Sequence, residues 1–315
     1  MLTVSQDGSG DYSSISDAIA SIKSGPETVY IKNGTYHERI EITTPEITLI
    51  GEDMDKTIIT YDYYANMIMD DGSKRGTFRS YTVLINTHHF TAKNLTIENS
   101  SGFGDSVGQA IALYTEGDMN QYFNCKLLGH QDTLFTGPLP AKVKIPGGFV
   151  GPTEFAPRNN CRQYFENCYI EGEIDFIFGS ATAYFKNCTL YALSRGHVDS
   201  INSFITAPST PEGQKFGYVF DSCTITGNCP KGTVMLGRPW RDYAKSVFIN
   251  CDISDQISPK GFDDWKKTDA HGKFFFAEYN CTGTGSNRDS RADFCCELTD
   301  EEASEYTLEN VFSSL

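Results

Sequence analysis

Phe123-Asn124-Cys125-Lys126-Leu127-Leu128-Gly129-His130-Gln131-Asp132 is echoed further along the chain by Glu166-Asn167-Cys168-Tyr169-Ile170-Glu171-Gly172-Glu173-Ile174-Asp175. Cys125 and Cys168, Gly129 and Gly172, and Asp132 and Asp175 each lie 43 residues apart, so the register holds without a slip. The element at the centre of the echo, Asn-Cys or a near variant, recurs at Asn94-Leu95, Asn124-Cys125, Asn167-Cys168, Asn187-Cys188, Ser222-Cys223, Asn250-Cys251 and Asn280-Cys281. Intervals of this size, unequal but of one order, fit single coils of a solenoid joined by loops of different length. A coil of short strands buries one face only and must stack on its neighbours to complete a core. The chain therefore reads as an all-β parallel β-helix, one domain spanning residues 1–315, with the cysteines and asparagines of the repeat forming inward ladders.

Stacked coils lie about 4.8 Å apart. Asp132 and Asp175, at equivalent positions on neighbouring coils, would bring two carboxyls within roughly 5 Å, where their repulsion is about 3 kcal/mol at an effective dielectric near 20. Both do not ionise comfortably at once. One pKa rises, and the split makes one group a nucleophile or base and the other an acid.

Composition narrows the classes of function. With 39% hydrophobic and 13% aromatic residues the chain can fill a core. A net charge of −15, with no basic run, excludes nucleic acid as a partner, and an acidic polymer would have to be met by a locally basic groove. Six of the ten cysteines fall on the ladder position, where they read as buried free thiols rather than a disulfide framework. No run approaches a membrane span, and Met1-Leu2-Thr3-Val4 does not open an export signal. No paired histidine motif or dense aspartate cluster calls for a metal, and no cofactor is expected.

Taken in order, Thr3 to Gly10 reads as a strand running into a turn, and Ser14 to Ile22 as a short helix with Ile15, Ala18, Ile19 and Ile22 on one face, a lid for the open end of the β-helix. Gly34 to Glu38 reads as a turn, and Pro138 to Asn160 as a long loop on the rim of a cleft. Leu298-Thr299-Asp300-Glu301-Glu302 carries a capping-box pattern and starts a C-terminal covering helix.

Five motifs then stand together: Gly34-Thr35-Tyr36-His37-Glu38, Gly108-Gln109-Ala110-Ile111-Ala112-Leu113, Gly129-His130-Gln131-Asp132-Thr133-Leu134, Asp175-Phe176-Ile177-Phe178-Gly179 and Leu236-Gly237-Arg238-Pro239-Trp240. In that order they resemble the pectin methylesterase (pectinesterase) family over most of the chain. The resemblance implies a right-handed parallel β-helix that hydrolyses the C6 methyl ester of galacturonate residues in methyl-esterified homogalacturonan and releases methanol. Carried over by position, Asp175 is similar to the nucleophile, Asp132 to the acid/base, and Gln109 and Gln131 to the oxyanion glutamines. Arg238 is similar to the arginine that orients the nucleophile, and Trp240, Phe178 and Thr77 to substrate contacts. Phe262 departs from the family, where a tryptophan often precedes the equivalent of Asp263-Asp264-Trp265, and this bears on the shape of one subsite.

The residues themselves suit that division of labour. A carboxylate attacking an ester generates an oxyanion, which needs fixed donors, and glutamine amides supply them without titrating. Arg238 can hold Asp175 ionised through a forked pair, lowering its pKa, while Asp132 stays protonated to meet the leaving methoxide. His130 is read as structural. Strand alternation weakens the case for Gln131, its neighbour Asp132 facing the other way. Other readings stay open at this point: a β-helical lyase or glycosidase, the retaining type of which also pairs carboxylates at about 5–5.5 Å; a non-catalytic carbohydrate-binding solenoid; or a relative acting on acyl thioesters. The expected setting is extracellular, with the cytoplasm as alternative, and the expected state is a monomer without membrane contact.

Overall fold

The computed structural model describes residues 1–197 and 200–313. Three parallel sheets of eleven, seven and eight strands wind around one axis as a right-handed parallel β-helix. The seven central coils each give one strand to each sheet, and the extra strands of the larger sheets belong to incomplete coils at the two ends. Coil-to-coil register is the 43-residue offset of the sequence where it was read: Leu134 pairs with Ile177, and Lys126 with Tyr169.

The repeated Asn-Cys step is the corner between the eleven-stranded and the eight-stranded sheet. Asn94, Asn124, Asn167, Asn187, Ser222, Asn250 and Asn280 all have φ between 49° and 56°. Asparagine tolerates this left-handed conformation better than most residues, which is why it recurs. The expectation that these asparagines point inward is therefore corrected. They turn the chain and face outward, with Asn124 Nδ2 donating to Asn94 Oδ1 at 3.2 Å and Asn280 Nδ2 to Asn250 Oδ1 at 2.8 Å. The cysteine one residue later points inward, and the thiols of Cys125, Cys168, Cys188, Cys223, Cys251 and Cys281 form a column. Each is free and donates to carbonyls, as Cys168 does to Tyr122 O and Glu166 O at 3.5 Å.

Inside the eleven-stranded sheet a second column is aromatic. Tyr122, Phe165, Phe185, Phe220 and Phe248 stack ring on ring with centroids 4.5–4.7 Å apart and planes within 15° of parallel. That separation is the coil spacing itself, so stacking and the backbone ladder satisfy one another.

One end is closed by helix α1 (Ile15–Ser21), capped at Ser14 and burying Ile15 and Ala18 against the first coil. Gly34 to Glu38 is not the expected turn. Gly34–His37 is a strand of the eight-stranded sheet. Glu38, just beyond it, caps α1 by accepting from Ile15 N at 2.9 Å and Ser16 N at 2.8 Å. The initial strand is Leu2–Val4, and the expected turn follows it at Asp7 and Gly8. A second helical turn, α2 (Gly104–Val107), leads into Gln109. The C-terminal cover is two short helices rather than one, α3 (Asp300–Ser304), which has the capping box, and α4 (Leu308–Ser313). They lie on the outer face of the eleven-stranded sheet, where Val311 packs with Tyr164, Tyr184 and Val247. Phe262 is a core residue, stacked on Phe276 at 4.7 Å, so the missing tryptophan alters the interior and not the cleft. No helix among the described residues is long and apolar enough to cross a membrane.

The aromatic column yields a test. Phe185→Ala removes a fully buried ring with stacked neighbours on both sides, and a loss of about 3–5 kcal/mol is expected, against about 1 kcal/mol for Phe185→Leu, read as urea midpoints under a common slope.

Candidate active site

The strands of the seven-stranded sheet alternate between core and exterior. Outward-facing Leu84, Tyr114, Phe135, Phe178 and Ala207 stand in direct register on five successive coils. Phe78, Phe149 and Trp240 pack over this layer from loops, with Phe178 to Trp240 centroids at 5.7 Å. The result is an aromatic floor bordering a cleft of ≈ 660 Å³.

All eight residues singled out from the sequence line that cleft: Thr77, Gln109, Gln131, Asp132, Asp175, Phe178, Arg238 and Trp240. Four arrive by the same route. Thr77, Gln109, Asp132 and Asp175 come from four consecutive coils, each near where the chain enters the seven-stranded sheet. The two aspartates have left-handed backbone, φ 67° for Asp132 and 52° for Asp175. At Asp175 the cause is a bulge: Ile174 pairs with Phe204 but Ile177 with Thr206, leaving one extra residue in the strand Ile174–Gly179. Phe176 and Ile177 both turn to the core, while Asp175 and Phe178 face the cleft. A bulge re-aims a side chain, and strained backbone of this kind concentrates at working sites.

Arg238 follows the strand Val234–Gly237 and reaches back over two coils. Its Nε donates to Asp175 Oδ1 and its Nη2 to Asp175 Oδ2, both at 2.8 Å. The guanidinium lies between the rings of Phe204 and Trp265, 3.9 Å from each centroid. Two aromatic faces and a fork thus fix Arg238, and through it the carboxylate. Asp132 has no cation of its own among the described residues, although it is only 8% exposed.

Burial, then the charge of Asp175, pushes the Asp132 carboxyl well above the ordinary carboxylate range. Burial raises Asp175 too, against the pull of Arg238. The expectation that Arg238 carries Asp175 below its usual value is corrected in that respect: the arginine opposes a larger desolvation cost and leaves Asp175 the more readily ionised of the two.

The alternation argument against Gln131 does not apply, because residues 130–132 form a bend and turn rather than a strand. Gln131 and Gln109 sit on adjacent coils tied by Ala110 N donating to Gln131 O at 3.0 Å. Neither side-chain amide is engaged by another described residue, which leaves their N–H donors free to face the cleft. A Cβ on Gly104 would stand 2.7 Å from Gln131 Cβ, so only glycine lets α2 lie against that side chain. His130 is tied to buried Glu173, Nδ1 to Oε1 at 3.2 Å, and tilts against Phe103, in keeping with a structural role.

Sequence reasoning missed several contributors. Phe204 and Trp265 clamp Arg238, and the signal for Phe204 was an aromatic at the opposite parity from Ile205 in one strand. Phe78, Phe149, Lys144, Arg241 and Lys267 complete the wall, and no short-range pattern announces residues that meet only through loops.

Against this geometry, the family described as Pectinesterase matches residues 1–138 and 158–314, leaving 139–157 unmatched. Pectinesterase 31 of Arabidopsis thaliana is 34% identical over 316 residues, covering 97% of this chain and 90% of that protein. Pectinesterase QRT1 of the same plant is 30% identical over 96% of this chain and 74% of its own length. Among solved structures, pectin methylesterase PemA from Erwinia chrysanthemi superposes with TM-score 0.83 at 30% identity over 100% of this chain and 97% of that one. The enzyme from carrot also gives 0.83, at 28% identity over 99% and 93%.

The buried acid allows a stability test. A carboxyl with a raised folded-state pKa contributes stability below the ordinary carboxylate pKa and loses it as pH rises through the folded value. Asp132→Asn, which imitates the neutral acid, should melt several degrees above wild type at pH 8, the gap closing near pH 4 in thermal scans.

Proposed function

The chain belongs to the pectinesterase family and is a carboxylic ester hydrolase acting on the methyl esters of pectin, and from that premise we propose that Asp175 is its nucleophile and Asp132 its acid and base. The observation that carries this reading is the forked Asp175–Arg238 pair beside a buried aspartate that lacks a cation.

Ionised Asp175 attacks the C6 carbonyl of a methyl-esterified galacturonate. The tetrahedral oxyanion accepts from the amides of Gln109 and Gln131, donors that need no proton transfer of their own. As the C–O bond to methanol breaks, protonated Asp132 gives its proton to the leaving methoxide oxygen, and an anhydride with Asp175 remains. Asp132, now ionised, takes a proton from water, which attacks the acyl carbon. Galacturonate leaves, and Asp175 returns as a carboxylate held by Arg238. The aromatic floor of Phe178 and Trp240, with Thr77 at its edge, offers flat apolar faces to pyranose rings.

The continuous core from Val4 to Phe276 supports reading the chain as one domain. We further read it as a monomer working outside the cell, where long methyl-esterified homogalacturonan is found. Paired carboxylates would also suit a glycosidase, but two unengaged glutamine amides beside them favour an oxyanion.

Methanol release from highly methylated pectin tests the roles. Asp175→Asn should lose at least about 10³-fold in kcat, Asp132→Asn about 10²–10⁴-fold, and Gln109→Ala or Gln131→Ala about 10²–10³-fold. Methanol should appear without new reducing ends or unsaturated products; wild-type levels from Asp175→Asn would overturn the assignment. Because Asp175 is raised overall, the acid limb of the rate profile should lie above the ordinary carboxylate pKa. Arg238→Gln removes the charge that opposes this and should move the limb to still higher pH.

A further inference from the structure

Glu173 is 0% exposed, and the reaction sequence leaves it unused. It directly precedes Ile174–Gly179, the strand that carries Asp175. Both of its carboxylate oxygens are engaged. Oε2 accepts from Gly104 N at 3.0 Å, 69 residues away in the chain, where α2 begins, and Oε1 meets His130 Nδ1 at 3.2 Å. The backbone of Glu173 is fixed as well: its N donates to His130 O at 2.8 Å, and its O accepts from Phe204 N at 3.0 Å and from Ser203 Oγ.

These contacts bracket Gln131. His130 is its neighbour in the bend, and Gly104 lies against its side chain. A Cβ added to Gly104 would stand 2.7 Å from Gln131 Cβ, 2.8 Å from Gln131 Oε1 and 3.2 Å from Glu173 Oε2. Phe103, at the head of α2, tilts against His130 with ring centroids 4.5 Å apart. α2 is a single turn with no side-chain cap of its own. The pair of Arg195 with Asp105 also reaches it, but Asp105 is 58% exposed and such a pair holds weakly. Glu173 is thus the buried anchor of the first residue of α2. Gln109 is held separately, its carbonyl accepting from Ala65 N at 2.8 Å.

Stability alone does not call for this carboxylate, since a buried ionic pair is often no better than apolar residues of the same shape. What a two-oxygen acceptor supplies is position: it fixes the bend at His130 and the start of α2 at once. We propose that Glu173 is a positioning residue for the hydrolysis, holding Gln131 where its amide meets the developing oxyanion. Placement of this kind is steep, a shift of about 1 Å costing on the order of 10²-fold, and the groups supporting a site decide whether its donors are in place. The proposal rests on the reading of Gln131 as an oxyanion donor.

Methanol-release kinetics, per mole of protein shown folded by circular dichroism, test it. Glu173→Ala should lower kcat about 10- to 100-fold with KM within about twofold, and Glu173→Gln, whose amide oxygen still accepts from Gly104 N, should recover most of that loss. Gly104→Ala leaves the buried acid in place, pushes on Gln131 from the other side, and should cost about tenfold in kcat. The deciding comparison repeats these changes in Gln131→Ala, where their further effect should shrink to within about threefold because the group being positioned is gone. If Glu173→Ala does not fold, Glu173→Gln and Gly104→Ala carry the comparison. The same factor in both backgrounds, or wild-type kcat from Glu173→Ala and Gly104→Ala while Gln131→Ala is impaired, would overturn the proposal and leave the oxyanion assignment standing. Wild-type kcat from Gln131→Ala would remove that assignment, and the proposal with it.

Discussion

Stacking one coil on the next is the constraint from which the rest follows. Parallel backbone ladders hold neighbouring coils at a fixed separation, so each side chain lies over its counterpart and like must tolerate like. Thiols, aromatic rings and corner asparagines meet that condition in three different ways: small soft atoms, stacked planes, and amides that both donate and accept. Carboxylates do not tolerate it. Asp132 over Asp175 is the place where the repeat works against itself, and Arg238, carried in from two coils away, relieves half of the conflict by pairing with Asp175. The other half remains in Asp132.

The same periodicity explains what could be read from the sequence. The Asn-Cys corner and the 43-residue echo are local and repeated, so the solenoid and the superposition of the two aspartates are legible in the sequence itself. Period-two alternation does not reach Gln131, which lies in a turn, and the stacking of matching positions does not by itself say which way they face: the asparagines face outward because a left-handed corner holds them. The bulge at Asp175 is a register fact between strands, and a sequence shows only one strand at a time. The arginine clamp was half legible. The Arg238–Asp175 pair followed from charge, but Phe204 and Trp265 are separated from Arg238 by 34 and 27 residues and meet it only in three dimensions.

Division of labour between scaffold and loops is unusually clear in the cleft. Corners of four consecutive coils supply Thr77, Gln109, Asp132 and Asp175, whose mutual positions are as rigid as the ladders. The long loop supplies one cation, Lys144, and apolar rim residues on a separate foundation of Phe78 and Arg241. Changes in the loop can therefore retune which part of a polymer is gripped without moving the aspartates, a separation that rigid scaffolds with variable loops favour in general.

Helix α1 has a consequence beyond closing the core. A parallel β-helix ends in bare backbone at both extremities, three unpaired strand edges in the same twist and spacing, which is the template of a growing fibre. By lying across the first coil, with its own N-terminus tied down by Glu38, α1 denies that template to a second molecule. Seven residues of helix thus stand between the first coil and a polymer of coils, held there by the Ser14 cap and the buried Ile15 and Ala18.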